Sequence, residues 1–116
     1  METEPRIAFV TDSESPGIEI RVNFGVFAGR DATAAEIEEL GQLLVPEVGE
    51  VSVVAEERHE MTEATEVVLH QVRIAVPEES ARDGADRRAL AEQLVALAED
   101  WARGCVAERH AEISEL

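Results

Sequence analysis

The chain has 116 residues, 26 of them Asp or Glu against 10 basic residues, and a formal charge of −16. Every basic residue is Arg and none is Lys. Such a charge repels phosphates at any distance that salt does not screen, which argues against nucleic acid or an anionic membrane as a direct partner. The length suits one α+β domain over residues 1–116, and 45% hydrophobic residues with three Phe, one Trp and no Tyr imply an aliphatic core. One Cys, Cys105, cannot form an internal disulfide, and no basic and apolar leader or run of ~18 apolar residues is visible. These features predict a cytoplasmic protein. Arg without Lys, with Ala and Glu abundant, suggests the codon bias of a GC-rich bacterium. Adaptation to high salt is the competing reading, opposed by 21 Glu against five Asp and by an undiminished apolar content.

Arg6 to Thr11 is a short apolar run ended by the turn-forming stretch Asp12 to Gly17, and predicts a first strand. From Ile18 to Phe27 the chain alternates, with Ile18, Ile20, Val22, Phe24 and Val26 on one face, which predicts a half-buried second strand. Gly29 to Asp31 makes a turn. Thr33 followed by Glu36 is a capping box, opening a helix that Pro46 should end near Val45; Ile37, Leu40 and Leu44, with Leu43 beside them, form its buried stripe. Glu50 to Met61 and Glu66 to Val76 read as a hairpin around Thr62 to Thr65. Pro77 stops the second of them. A last helix begins around Asp83 to Asp86 and runs to about Glu112, with Leu90, Leu94, Leu97, Trp101 and Cys105 as its stripe.

The order strand, strand, helix, strand, strand, helix predicts an α+β sandwich: a four-stranded antiparallel sheet with two helices on one face. Topologically this is a ferredoxin-like sandwich with its last strand moved to the front, an analogy between folds that carries no function.

Facing parity in the hairpin yields the sharpest expectation about chemistry. Placing Val51, Val53 and Ala55 on the same face as Val68, Val72, Ile74 and Val76 requires odd residues of the third strand to face even residues of the fourth. Glu57 then lies opposite His70 and His59 opposite Val68, with Cβ separations of about 5 Å for direct partners and under ~8 Å on the diagonal. Glu57, His59 and His70 are therefore a candidate site for a divalent transition metal, which could activate water or dioxygen. The competing reading is a part-buried His70 hydrogen-bonded to Glu57, with His59 at the solvent end. His110 reads as a solvated residue favourably placed at a helix C-terminus, and Cys105 and Trp101 as packing residues on their stripe. Gly25, Gly29 and Gly41 fit no phosphate-loop spacing, and no Ser sits in a nucleophile elbow.

The same parity turns Val54, Val67, Leu69 and Ala75 outward with Glu56, Arg58, Gln71, Arg73 and Arg21, and the alternation of the second strand adds Phe27. Aliphatics mixed with opposite charges on one sheet face are what a self-complementary interface needs. The first expectation is thus a non-enzymatic binding or assembly module acting as a homodimer, with a small-ligand regulator as one form of it. A metal-binding protein or metal-dependent enzyme is a second, and an acidic partner or decoy for a basic protein is a third.

Overall fold

The computed structural model describes residues 7–11, 17–81 and 84–114. In chain order the elements are β1 (Ala8–Val10), β2 (Ile18–Val22), α1 (Phe24–Ala28), α2 (Ala34–Val48), β3 (Ser52–Met61), β4 (Glu66–Val76) and α3 (Gly84–Ser114), with a 3-10 turn at Glu78–Ser80. The four strands form one antiparallel sheet in the order β1-β2-β4-β3. Arg6, Asp12 to Pro16, Asp83 and the side chain of His110 lie outside the described residues.

Period-two alternation decides which sheet face is buried. On β2, Ile18, Ile20 and Val22 are buried, and on β4 so are Val72, Ile74 and Val76. The register pairs them in register across the two strands: Ile18 with Val76, Ile20 with Ile74, Val22 with Val72. Over this layer lie α2, through Leu40, Leu44 and Val48, and α3, through Leu90, Leu94, Ala98, Trp101 and Cys105. Leu97 and Ile37 are partly buried at the margin of the core. The i, i+4, i+8 spacing of the α2 stripe leaves Leu43 exposed.

Two expectations about element boundaries fail for identifiable reasons. The second strand stops at Val22, and Phe24–Ala28 coils into one helical turn whose Gly29 cap adopts a left-handed φ of 72°. Helical geometry drives Phe24 into the core, where its ring lies 5.3 Å from that of Trp101. The turn crosses β4 so closely that a Cβ on Gly25 would sit 2.9 Å from the Cβ of His70 and 3.0 Å from its carbonyl oxygen, so glycine is what permits the approach. Val26 becomes 53% exposed, and Phe27, 39% exposed, lies on the helical side of the sheet instead of its outer face.

The second discrepancy is at Pro46, which α2 passes through before ending at Gly49 (φ 81°). A proline lacks the N–H for one helical hydrogen bond. In the final turn only one such bond is lost, while the extension carries Val48 into the core. The capping box forms as expected, Thr33 Oγ1 accepting from the Glu36 N–H at 3.2 Å and Glu36 Oε1 accepting from the Thr33 N–H at 2.9 Å.

Among the described residues no helix is long and apolar enough to cross a membrane. Because Leu94 is fully buried between α3 and the sheet, Leu94→Ala should destabilise the fold by ~2–5 kcal/mol, the range for large-to-small core changes. Urea titration checks this, and a loss under about 1 kcal/mol would show that the stripe is not the core.

Candidate functional site

The hairpin forms with the expected parity. Glu57 pairs with His70, His59 with Val68, and the turn is closed by the Thr62 N–H donating to the Thr65 carbonyl at 2.8 Å. All three residues of the expected metal site therefore share the helix-facing side of the sheet. Their side chains nevertheless point to different partners. His59 lies between two carboxylates, its Nδ1 2.9 Å from Glu66 Oε2 and its Nε2 3.7 Å from Glu57 Oε2. His70 turns away from Glu57 and pairs through Nδ1 with Asp31, in the segment between α1 and α2. Among the described residues no three His, Cys, Asp or Glu side chains form a group able to hold a metal ion.

Glu66 and Asp31 are the partners that sequence reasoning missed. Glu66 was within reach of it, because it sits diagonally from His59 on the same face once the register is known. Asp31 was not, because its approach to His70 depends on where α1 crosses β4.

A second cluster ties the three helices together. The Arg30 guanidinium forms a two-pronged pair with Glu36, Nη1 to Oε1 and Nη2 to Oε2, both at 2.8 Å. Arg30 also lies 5.3 Å above the Phe24 ring, within cation–π range. From α3, the indole N–H of Trp101 donates to the Glu36 carbonyl oxygen at 3.0 Å. The Arg30 hydrogen bonds hold the Glu36 carboxyl well below its ordinary range, at about 2, against an opposing push from burial and with help from the Thr33 N–H. Burial, reinforced by the charge of Glu36, pushes the Cys105 thiol up to about 12. A thiol protonated at neutral pH is a poor nucleophile, so Cys105 is a packing residue.

The outer face of the sheet is a lattice of alternating charge. Arg21 and Arg73 stand directly opposite each other on β2 and β4. Their repulsion is relieved by Glu19 and Glu56: Arg21 Nε lies 3.3 Å from Glu19, Arg73 Nε 2.7 Å from Glu56, and the crossed pairs are both at 3.8 Å. Gln71 sits among them, 5% exposed, accepting from Arg21 Nη1 at 3.3 Å and donating to Asn23 Oδ1 at 2.7 Å. Farther along β3, Arg58 pairs with Glu60 at 3.0 Å. Isolated exposed pairs contribute little, but shared partners fix this lattice in one arrangement.

Compared with known proteins, the chain matches no family model, no curated protein and no solved structure.

The depressed Glu36 pKa carries a stability consequence. A carboxyl ionising near 2 when folded, against 4.5 ordinarily, stabilises the fold above about pH 4.5 and loses that contribution as pH falls toward 2. Glu36→Gln keeps a side chain able to cap the helix but removes the ion pair. With solvent screening of this partly exposed pair it should cost about 1–2 kcal/mol at pH 7, and its deficit relative to wild type should shrink between pH 4.5 and 2. Urea titrations across that range test this; a deficit independent of pH would disprove the ionic origin.

Proposed function

We propose that this chain is a small, non-enzymatic binding and assembly module that acts as a homodimer through the outer face of its sheet. The supporting observation is a local balance of charge. On a chain of −16 overall, the outer positions of β2, β3 and β4 carry three arginines (Arg21, Arg58, Arg73) against three glutamates (Glu19, Glu56, Glu60). A second copy meets no net repulsion there, whereas a basic protein would be drawn to the acidic remainder. Val54, Val67 and Leu69 share that face, the first two among the exposed large hydrophobics, and supply apolar area beside the lattice. Phe27, expected to join them, is on the other side of the sheet and plays no part.

The finer fold name, a ferredoxin-like sandwich permuted so that its last strand comes first, accords with the order β1-β2-β4-β3. In such a sandwich the helices cover one face and leave the other free for association. A cytoplasmic setting accords with the single free cysteine. Metal binding is disfavoured because His70 engages Asp31 and not Glu57.

Light scattering at rising concentration and salt tests the dimer. Association should strengthen as salt screens the overall charge, and Leu69→Glu should give a folded protein of half the wild-type mass, since it forces an unpaired carboxylate into the seam. A wild type that remains at the 12.7 kDa monomer mass would refute the interface, and complexes that dissolve with salt would favour a basic partner.

A further inference from the structure

The sheet has two edges of very different kinds. β1 is three residues long, whereas β3 runs for ten, with no proline and an unbroken register from Ser52 opposite Ala75 to Met61 opposite Glu66. Natural edges are usually kept short, bulged, or blocked by proline or by charged side chains. β3 has none of the first three devices; its charges are Glu56, Arg58 and Glu60 on the outer face, which alternate in sign, and Glu57 on the helix-facing side.

Hydrogen-bond phase shows which of its backbone groups are free. Antiparallel pairs alternate between bonded and non-bonded residues. At one end of the sheet the Asn23 N–H donates to the Ile7 carbonyl at 2.8 Å and the Thr11 N–H to that of Glu19 at 2.9 Å, so odd residues of β2 bond to β1 and even ones to β4. Carried across β4, this makes Ser52, Val54 and Glu56 the residues of β3 bonded to Ala75, Arg73 and Gln71. The Thr62 to Thr65 bond at the hairpin turn gives the same phase independently. Val53, Ala55, Glu57, His59 and Met61 therefore direct their N–H and C=O groups away from the sheet. Among the described residues no backbone hydrogen bond joins these groups to another element.

The geometry points to this free edge as a second association surface, taking the β3 edge of another copy of the chain in antiparallel pairing centred on Glu57. Odd residues must face odd ones, so only a few registers exist. Centring on Arg58 would set Arg58 against Arg58 and Glu56 against Glu60. Centring on Glu56 opposes Glu56 to itself and leaves Arg58 against Val54; centring on Ala55 pairs only residues 52–58, with Arg58 against Ser52 and Met61 uncovered, and centring on His59 pairs only residues 57–61 within the strand. Centring on Glu57 pairs residues 53–61, sets Arg58 opposite the partner's Glu56 twice over at non-bonded positions where side chains lie closest, and covers Met61, 70% exposed, with the partner's Val53. Its like-charge pair is Glu57 against its own copy, and Val54 lies opposite the partner's Glu60. The two sheets become one of eight strands, and their charge-balanced outer faces become continuous.

This inference goes beyond the face-to-face reading and does not depend on it. If both contacts form, two different two-fold axes act on one chain, and a tetramer results where those axes cross at right angles. The test is the mass by light scattering of wild type, Ala55→Pro, Leu69→Glu and the double variant, with circular dichroism as the control for folding. Proline at position 55 removes an outward N–H and no bond to β4. Ala55→Pro should halve the mass in the wild-type background. In the Leu69→Glu background it should leave a monomer. A mass unchanged by Ala55→Pro, or a monomeric wild type, overturns the edge; a mass unchanged by Leu69→Glu alone overturns only the outer-face reading. If Ala55→Pro fails to fold, mild oxidation decides. Glu57→Cys should form an interchain disulfide, because a bonded pair on the two-fold axis has Cα atoms about 5.5 Å apart, and Arg58→Cys should not. Equal cross-linking of the two, or none, overturns the proposed pairing.

Discussion

The facing of β3 against β4 is the constraint on which the rest of this protein depends. With odd residues of β3 opposite even residues of β4, Val53, Val72 and Ile74 meet on the helix side, and Glu56, Gln71 and Arg73 meet on the other. A slip of one residue along β3 would exchange its faces, carrying Glu56 toward α2 and setting Val53 beside the arginines. The slip would take Val53 away from the core and part Glu56 from Arg73, leaving that half-exposed guanidinium without its 2.7 Å partner, so one pairing is selected over its neighbours. Core, charge lattice and histidine placement all follow from that choice.

Local chemistry and periodicity made much of this fold legible. The hairpin was readable because period two over ten or eleven residues leaves little freedom, and the capping box because Thr33 and Glu36 need only each other. Alternation puts Phe24 in the core, where it lies, but places Val26 and Phe27 on the wrong sides, because it cannot tell a strand that continues from one that coils off the sheet. What decides the matter is the demand of the Phe24 ring for a place beside Trp101, seventy-seven residues away along the chain. Pro46 misled for a similar reason: a local penalty is outweighed by burial of Val48. At the histidines, backbone register was foreseeable but side-chain direction was not, since Asp31 and Glu66 compete for the two imidazoles with Glu57.

The Arg30–Glu36 pair does for the helices what the register does for the sheet. It joins the end of the α1 crossing to the start of α2, and the Trp101 indole adds α3 to the same turn. Partial burial makes this junction sensitive to charge. A carboxylate there needs its guanidinium, and the thiol of Cys105 close by is kept protonated by burial, reinforced by the same carboxylate. A packing contact and an ionisation equilibrium are thus coupled at one point, which makes acid the condition under which the helical layer should loosen first.

The far half of the hairpin is built on other terms. Met61, Val67 and Val68 are exposed there, so the ribbon lacks the apolar cover that supports the near half. Two strands without a packed face are marginal in water. What holds this ribbon is polar and local: the Thr62–Thr65 turn, His59 between its carboxylates, Arg58 on Glu60. Exposed contacts of that kind contribute a few tenths of a kcal/mol each. A ribbon so lightly supported, with a free backbone edge and a charge-balanced face, gains most from whatever it associates with. Stability and association are for this part of the molecule one question.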